Sequence, residues 1–205
     1  MNGDEQPLRE LVLEMHRRGI IKFGEFTLTS GKKSPYYLDL RLLPSYPRLY
    51  KRVMMMAYSI LKKLDFDVVV GVATAGIIHA SYLGCIMEKP IAYVRKKPKE
   101  HGTRRLIEGR VEGLKALIVD DVATTGGSLE RAVNAVRRED GIVEYAFVIV
   151  DRGEGARERL EKQGVKLYSL LDAQKIIEIL YEEKAIDGQT FSKVKQYIEK
   201  EKSSF

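Results

Sequence analysis

Apolar positions along this 205-residue chain alternate between a helical and an extended rhythm. Residues 8–18 carry them at helical spacing, predicting an amphipathic helix that Gly19 stops. Residues 20–40 read as extended segments around the turn SGKKSP, and Pro47 opens a helix running to about residue 64. Four strand–turn–helix units follow: VVVGVA into GIIHASYLGCIM, ALIVDD into SLERAVNAVRR, EYAFVIVD into ARERLEKQ, and KLYSLL into AQKIIEIL. A further strand, PIAYVR, precedes ALIVDD, and a helix over about 188–202 closes the pattern. Apolar strands alternating with helices predict an α/β fold, with a mostly parallel sheet covered by helices on both faces. With no low-complexity linker and no internal repeat, residues 1–205 read as one domain.

Composition narrows this only a little. An apolar fraction of 44% and a charged fraction of 31% are those of a soluble globular protein. A net charge of +6 would serve nucleic acid, an anionic membrane or an anionic small substrate, and the basic residues are spread too evenly to choose. The single cysteine, Cys85, excludes an internal disulfide and fits a cytoplasmic setting; flanked by Leu83 and Ile86, it is expected to be a buried, inert thiol. The start, MNGDEQPLRE, does not read as a signal peptide. Residues 68–87 contain no Asp, Glu, Lys or Arg, but their glycines, Thr74, His79 and Ser81 make strand, turn and buried helix a better parse than a membrane span.

In such sheets, ligands bind beyond the carboxyl ends of the strands, where loops meet helix N-termini. Three segments fall there. In DDVATTGGS, residues 124–128 lead into a helix whose N–H groups and dipole suit a phosphate. Thr124, Thr125 and Ser128 add hydroxyls, and Gly126 and Gly127 allow close approach. An ordinary helix cap at Ser128 or Thr125 would explain the hydroxyls. It would not explain the adjacent Asp120 and Asp121, which suit a ribose diol or a phosphate-borne Mg²⁺. GVATAG is a second small-residue turn, fitting either an anion or close strand–helix packing. RKKPKEHGTRRLIEG, residues 95–109, is cationic, and Pro98 and Gly102 argue for a mobile loop that could close over a polyphosphate. A Walker A loop is absent from SGKKS. DRGEGARE fails as a dinucleotide fingerprint because Glu158 stands where the third glycine belongs. Of the histidines, His16 is expected on a helix edge and His79 in a packed helix; only His101 sits among candidate chemistry.

Taken together, VVVGVATAG, RKKPKEHG and LIVDDVATTGGS resemble the type I phosphoribosyltransferases. FTLTSGKKSPYYLDLR and the spacing RKxxKxHG resemble the orotate phosphoribosyltransferase branch, the likeness covering roughly residues 20–155. The resemblance implies a core over 46–205, an N-terminal hood over 1–45, and transfer of ribose 5-phosphate from phosphoribosyl pyrophosphate to orotate. It assigns the 5′-phosphate to Thr124, Thr125, Gly126, Gly127 and Ser128, and the ribose hydroxyls to Asp120 and Asp121. Pyrophosphate falls to Thr74, Ala75 and Gly76, and orotate to the 34–37 segment with Tyr36 and Tyr37, together with Arg152. Mg²⁺ is carried mainly by the pyrophosphate, with Asp120 or Asp121 reached through water. The resemblance further implies a homodimer in which Arg95, Lys96, Lys99 and His101 act on the neighbouring subunit's site, Lys99 and His101 serving the departing pyrophosphate. Thr29 and Ala75 depart from the family by standing where many members carry lysine, and Ile78 stands where proline is common.

Two other functions compete. A purine phosphoribosyltransferase has no use for SGKKSPYYLD or RKxxKxHG. A ligand-sensing regulator of DNA would need a helix-turn-helix, for which the one short helix before Gly19 leaves no room, and an RNA-binding one would need no loop bearing Lys99 and His101. The expected partners are therefore small molecules and a second copy, with neither nucleic acid nor membrane.

Overall fold

The computed structural model describes residues 5–27, 31–97 and 106–203. The chain divides into two compact units, one formed by 54–170 and the other by 1–53 with 171–205.

The 54–170 unit is built on a six-stranded sheet with order β5-β4-β3-β6-β7-β8. Its strands are β3 (Val68–Val72), β4 (Ile91–Val94), β5 (Ile107–Glu108), β6 (Lys115–Ala123), β7 (Ile142–Asp151) and β8 (Lys166–Asp172), the last running into the other unit's sequence. β3 pairs in parallel with β4 and β6, and β6 in parallel with β7; β5 turns back antiparallel on β4. The central strands are β-branched runs because helices cover both faces: Val68, Val69, Val70, Leu117, Ile118, Val119 and Val148 have no exposed surface. The helices are α3 (Ala75–Met87), α4 (Gly127–Arg138) and α5 (Ala156–Glu161), with the later part of α2 (Pro47–Leu61).

The 68–87 stretch is a strand followed by a helix, as read, and no described helix is long and apolar enough to cross a membrane. α3 buries Gly76, His79, Ala80, Leu83 and Gly84. Cys85 lies off that stripe, so its thiol is exposed rather than buried; the expectation from its apolar neighbours failed because α3 is apolar on both sides. The 95–109 segment also differs from a pure loop. Residues 107 and 108 form β5, and Arg95 N–H donates to the Leu106 carbonyl at 2.8 Å, so its two ends are pinned at the sheet edge.

The other unit contains α1 (Glu5–Arg17), the hairpin β1 (Ile21–Thr27) and β2 (Lys33–Leu38), a 3-10 turn over Leu40–Ser45, α6 (Ala173–Glu182) and α7 (Gly188–Lys202). Helix starts are set by capping carboxylates. Asp172 accepts from Lys175 N–H at 2.8 Å, and Asp187 from Thr190 N–H at 2.7 Å. Tyr181 of α6 stacks on Phe191 of α7 with centroids 4.4 Å apart, and Tyr197 meets Tyr36 of β2 edge-on at 6.0 Å. His16 ends α1 half-buried, its Nδ1 3.1 Å from the Ile21 carbonyl oxygen.

Two glycines decide how closely α3 approaches the sheet. A Cβ on Gly71 would come within 2.7 Å of the Ile77 Cα, and one on Gly76 would overlap the Val119 carbonyl oxygen. The structure therefore gives GVATAG a packing role whatever it binds. Gly76→Ala should push α3 off β6 and destabilise the protein by roughly 3 kcal/mol, measured by urea unfolding; an unchanged midpoint would contradict the close packing.

Candidate active site

β6 runs four residues further than its apolar core, through Val122 and Ala123, and pairs there with Val150 and Asp151 of β7. Asp120 and Asp121 thus lie within a strand, on opposite faces. Asp120 is buried, whereas Asp121 is half-buried. Each is tied to the backbone: an Asp120 carboxyl oxygen accepts from Asp121 N–H at 2.9 Å, and one of Asp121 accepts from Val122 N–H at 2.9 Å. The Asp120 carboxyl also lies over the first turn of α3, its Oδ1 3.2 Å from where a Gly76 Cβ would stand. Burial first, then the Asp121 charge, raises the Asp120 pKa well above the usual carboxylate value, while Lys96 pulls it down.

The chain then turns into α4. Gly126 occupies the N-cap position in the left-handed conformation, φ +78°, and no side chain caps the helix. The capping alternative for Ser128 or Thr125 is therefore not what this loop does. Residues 122–129 and Arg131 line a polar depression of about 150 Å³ at this helix start. Ser128 Oγ instead accepts from Arg131 at 3.0 Å, and guanidinium nitrogens of Arg131 and Arg159 lie 3.6 Å from the position of a Gly127 Cβ. Sequence reading passed over both arginines. Arg131, three residues beyond Ser128, was legible from helical spacing; Arg159 arrives from another helix.

Other candidates distribute as follows. Thr74 precedes α3 after a cis Ala73–Thr74 peptide bond, and Ala75 and Gly76 open that helix. Arg95 and Lys96 follow β4, next to the end of β3, where Ala73 N–H donates to the Val94 carbonyl at 2.9 Å. Arg95 pairs with Glu108 at 3.2 Å. Arg152 is brought to the phosphate loop by its backbone N–H, which donates to the Ala123 carbonyl at 2.9 Å. These residues, with Asp120, Asp121 and residues 124–128, all belong to the 54–170 unit. Tyr36 and Tyr37 belong to the other unit: Tyr36 is 2% exposed, and the Tyr37 hydroxyl accepts from Arg41 at 2.7 Å. Thr29, Lys99 and His101 lie outside the described residues.

Among the described residues, no three His, Cys, Asp or Glu side chains are grouped to hold a metal ion. The hard carboxylate oxygens of Asp120 and Asp121 suit Mg²⁺ as outer partners through water.

The sequence profile described as phosphoribosyl transferase domain matches residues 43–179, crossing both unit boundaries. An orotate phosphoribosyltransferase of Staphylothermus marinus is 57% identical over 202 residues, 98% of this chain and 100% of that protein. The chain belongs to the orotate phosphoribosyltransferase family. Among solved structures, the orotate phosphoribosyltransferase of Aeropyrum pernix superposes with a TM-score of 0.75 at 35% identity, over 83% of this chain and 97% of that one. UMP synthase of Leishmania donovani superposes at 0.84 with 29% identity over 94% of this chain, which spans 42% of that protein's length. The α/β architecture with its mostly parallel sheet is that of this phosphoribosyltransferase family.

His79 of α3 adds a buried titratable group within the electrostatic reach of Asp121. Burial pushes its imidazole down to about 4 from an ordinary 6.5, against a weaker upward pull from Asp121. The unfolded ring takes up its proton near 6.5, so between there and about 4 the unfolded state binds more protons. The stability tied to a neutral His79 is complete above that window and is lost as pH falls through it, by up to about 3 kcal/mol. The stability difference between wild type and His79→Gln in urea should therefore shrink from pH 7 to pH 4.5; a constant difference would show the ring titrating normally.

Proposed function

We propose that this phosphoribosyltransferase transfers the 5-phosphoribosyl group of Mg-phosphoribosyl pyrophosphate to orotate, giving orotidine 5′-phosphate and pyrophosphate for pyrimidine synthesis in the cytoplasm. One observation carries the reading: the uncapped start of α4, with Gly126 at its N-cap, stands directly after the Asp120–Asp121 pair. Amides and dipole at the helix start favour the 5′-phosphate, while the acidic pair accepts from ribose hydroxyls. The names of the relatives support orotate as the acceptor.

The C1′–oxygen bond to pyrophosphate breaks with its electrons leaving on the pyrophosphate, and N1 of orotate bonds to C1′. Positive charge gathers on the ribose in between, and carboxylates beside the ring favour it. Residues 74–76 are assigned to the pyrophosphate, and Arg152 to the orotate carboxylate, for which a guanidinium is suited. Bound Mg²⁺ would neutralise pyrophosphate charge. The sequence resemblance also assigns residues 34–37 to orotate recognition.

A homodimer completes the proposal. The outward stripe of α3, Ile78, Ser81, Tyr82, Cys85 and Ile86, contains no charge, and Ile78 is 47% exposed. A helix apolar on both sides is normally covered, here by a second copy of the chain. Arg95, Lys96, Lys99 and His101 are assigned to the neighbouring subunit's site, with Lys99 and His101 serving the departing pyrophosphate. These would assist pyrophosphate departure by roughly 10²–10⁴ in rate.

Orotate absorbance in the presence of phosphoribosyl pyrophosphate and Mg²⁺ should fall on adding the protein; no change, with turnover of a purine base instead, would contradict the assignment. Lys99→Ala should lower kcat by about a hundredfold or more with little change in KM; equal effects on both would remove its transition-state role.

A further inference from the structure

The turn after β7 holds a charged pair that stability alone does not explain. Arg152 Nε–H donates to Glu154 Oε1 at 2.7 Å, with the two side chains only 4% and 5% exposed. Burying two charges costs solvation, and apolar residues of similar volume often fill such a place equally well or better. A buried pair is therefore weak evidence of a stability device. It is more telling as a means of aiming one of its members.

The local backbone holds the pair at the site. Arg152 N–H bonds to the carbonyl of Ala123, the residue just before Thr124. Gly153 and Gly155 adopt left-handed φ angles of +71° and +88°, which fold the chain tightly around Glu154. Asp151 secures the turn from the strand side, accepting from Gly153 N–H at 2.9 Å while its other oxygen meets Arg157 at 2.8 Å. The turn also leads into Ala156, whose Cα is 3.0 Å from where a Gly126 Cβ would stand. The Arg152–Glu154 turn and the phosphate loop are thus packed against one another.

A guanidinium is planar, with one edge formed by Nε and one Nη and another by the two Nη atoms. Holding Nε fixes the roll of that plane about the side chain. We propose that Glu154 is a positioning residue: by accepting the Nε–H of Arg152, it presents the Nη edge of the guanidinium to the carboxylate of orotate. This rests on the orotate reading above. Glu154 touches no substrate in this scheme and acts only through Arg152. Its effect is therefore confined to the anionic base and does not extend to the sugar phosphate.

The experiment is steady-state kinetics of full-length wild type, Glu154→Gln and Glu154→Asp, with thermal unfolding of each. Glu154→Gln keeps the shape and an accepting oxygen but removes the charge; Glu154→Asp keeps the charge, so Arg152 stays paired, but withdraws the oxygen by one methylene. Both should raise the KM for orotate by roughly tenfold while the KM for phosphoribosyl pyrophosphate holds. Should Glu154→Gln fail to fold, Glu154→Asp alone decides. Lower melting temperatures with both KM values unchanged, or rising together, would overturn the positioning role while leaving the orotate reading intact. Wild type that does not turn over orotate would overturn that reading, and the role of Glu154 with it.

Discussion

Two carboxyl groups on consecutive residues of a strand repel each other, and at the end of β6 one of them is also buried. The protein sustains this by giving each a backbone N–H, Asp121 for Asp120 and Val122 for Asp121. Part of the cost remains, as the raised pKa of Asp120 shows. Such unrelieved charge is characteristic of sites awaiting a ligand. Here the natural relief is a sugar, whose hydroxyls donate to carboxylates while its phosphate is drawn a few residues on to the uncapped start of α4. The order acid pair, turn, open helix start thus reads as one device for a phosphorylated ribose.

Close backbone packing holds that device in place. Gly76 lets the first turn of α3 lie against Val119 and Asp120, and Gly126 lets the phosphate loop lie against Ala156. Arg152 is tied to Ala123 through the backbone, so the ends of β6 and β7 are held together. Interiors packed this closely do not deform smoothly. Small changes at these glycines should therefore be felt at the site as well as in stability.

Much of this was legible in the sequence because burial on both faces leaves a plain mark. Val68–Val72 and the apolar run before Asp120 could be little else than central strands, and two aspartates ending such a run stand out. The phosphate loop followed from its glycines and hydroxyls, although the capping residue proved to be Gly126 and not Ser128 or Thr125. What escaped reading has physical reasons. β5 is two residues long and sits at the end of a cationic segment. The exposure of Cys85 depends on which side of an evenly apolar helix meets the sheet. DRGEGARE was weighed only as a nucleotide fingerprint; its glycines serve a turn, and the burial of Glu154 beside Arg152 cannot be read from residues that are usually solvated. Arg159 reaches the phosphate loop only through the packing of α5 beside α4.

The most direct measurement is a crystal structure of the protein with Mg-phosphoribosyl pyrophosphate. The account predicts 5′-phosphate oxygens about 3 Å from backbone nitrogens of residues 124–128, with a ribose hydroxyl on Asp120 or Asp121. A sugar phosphate bound elsewhere, with both carboxyl groups turned from the ribose and nothing anionic at the start of α4, would contradict it.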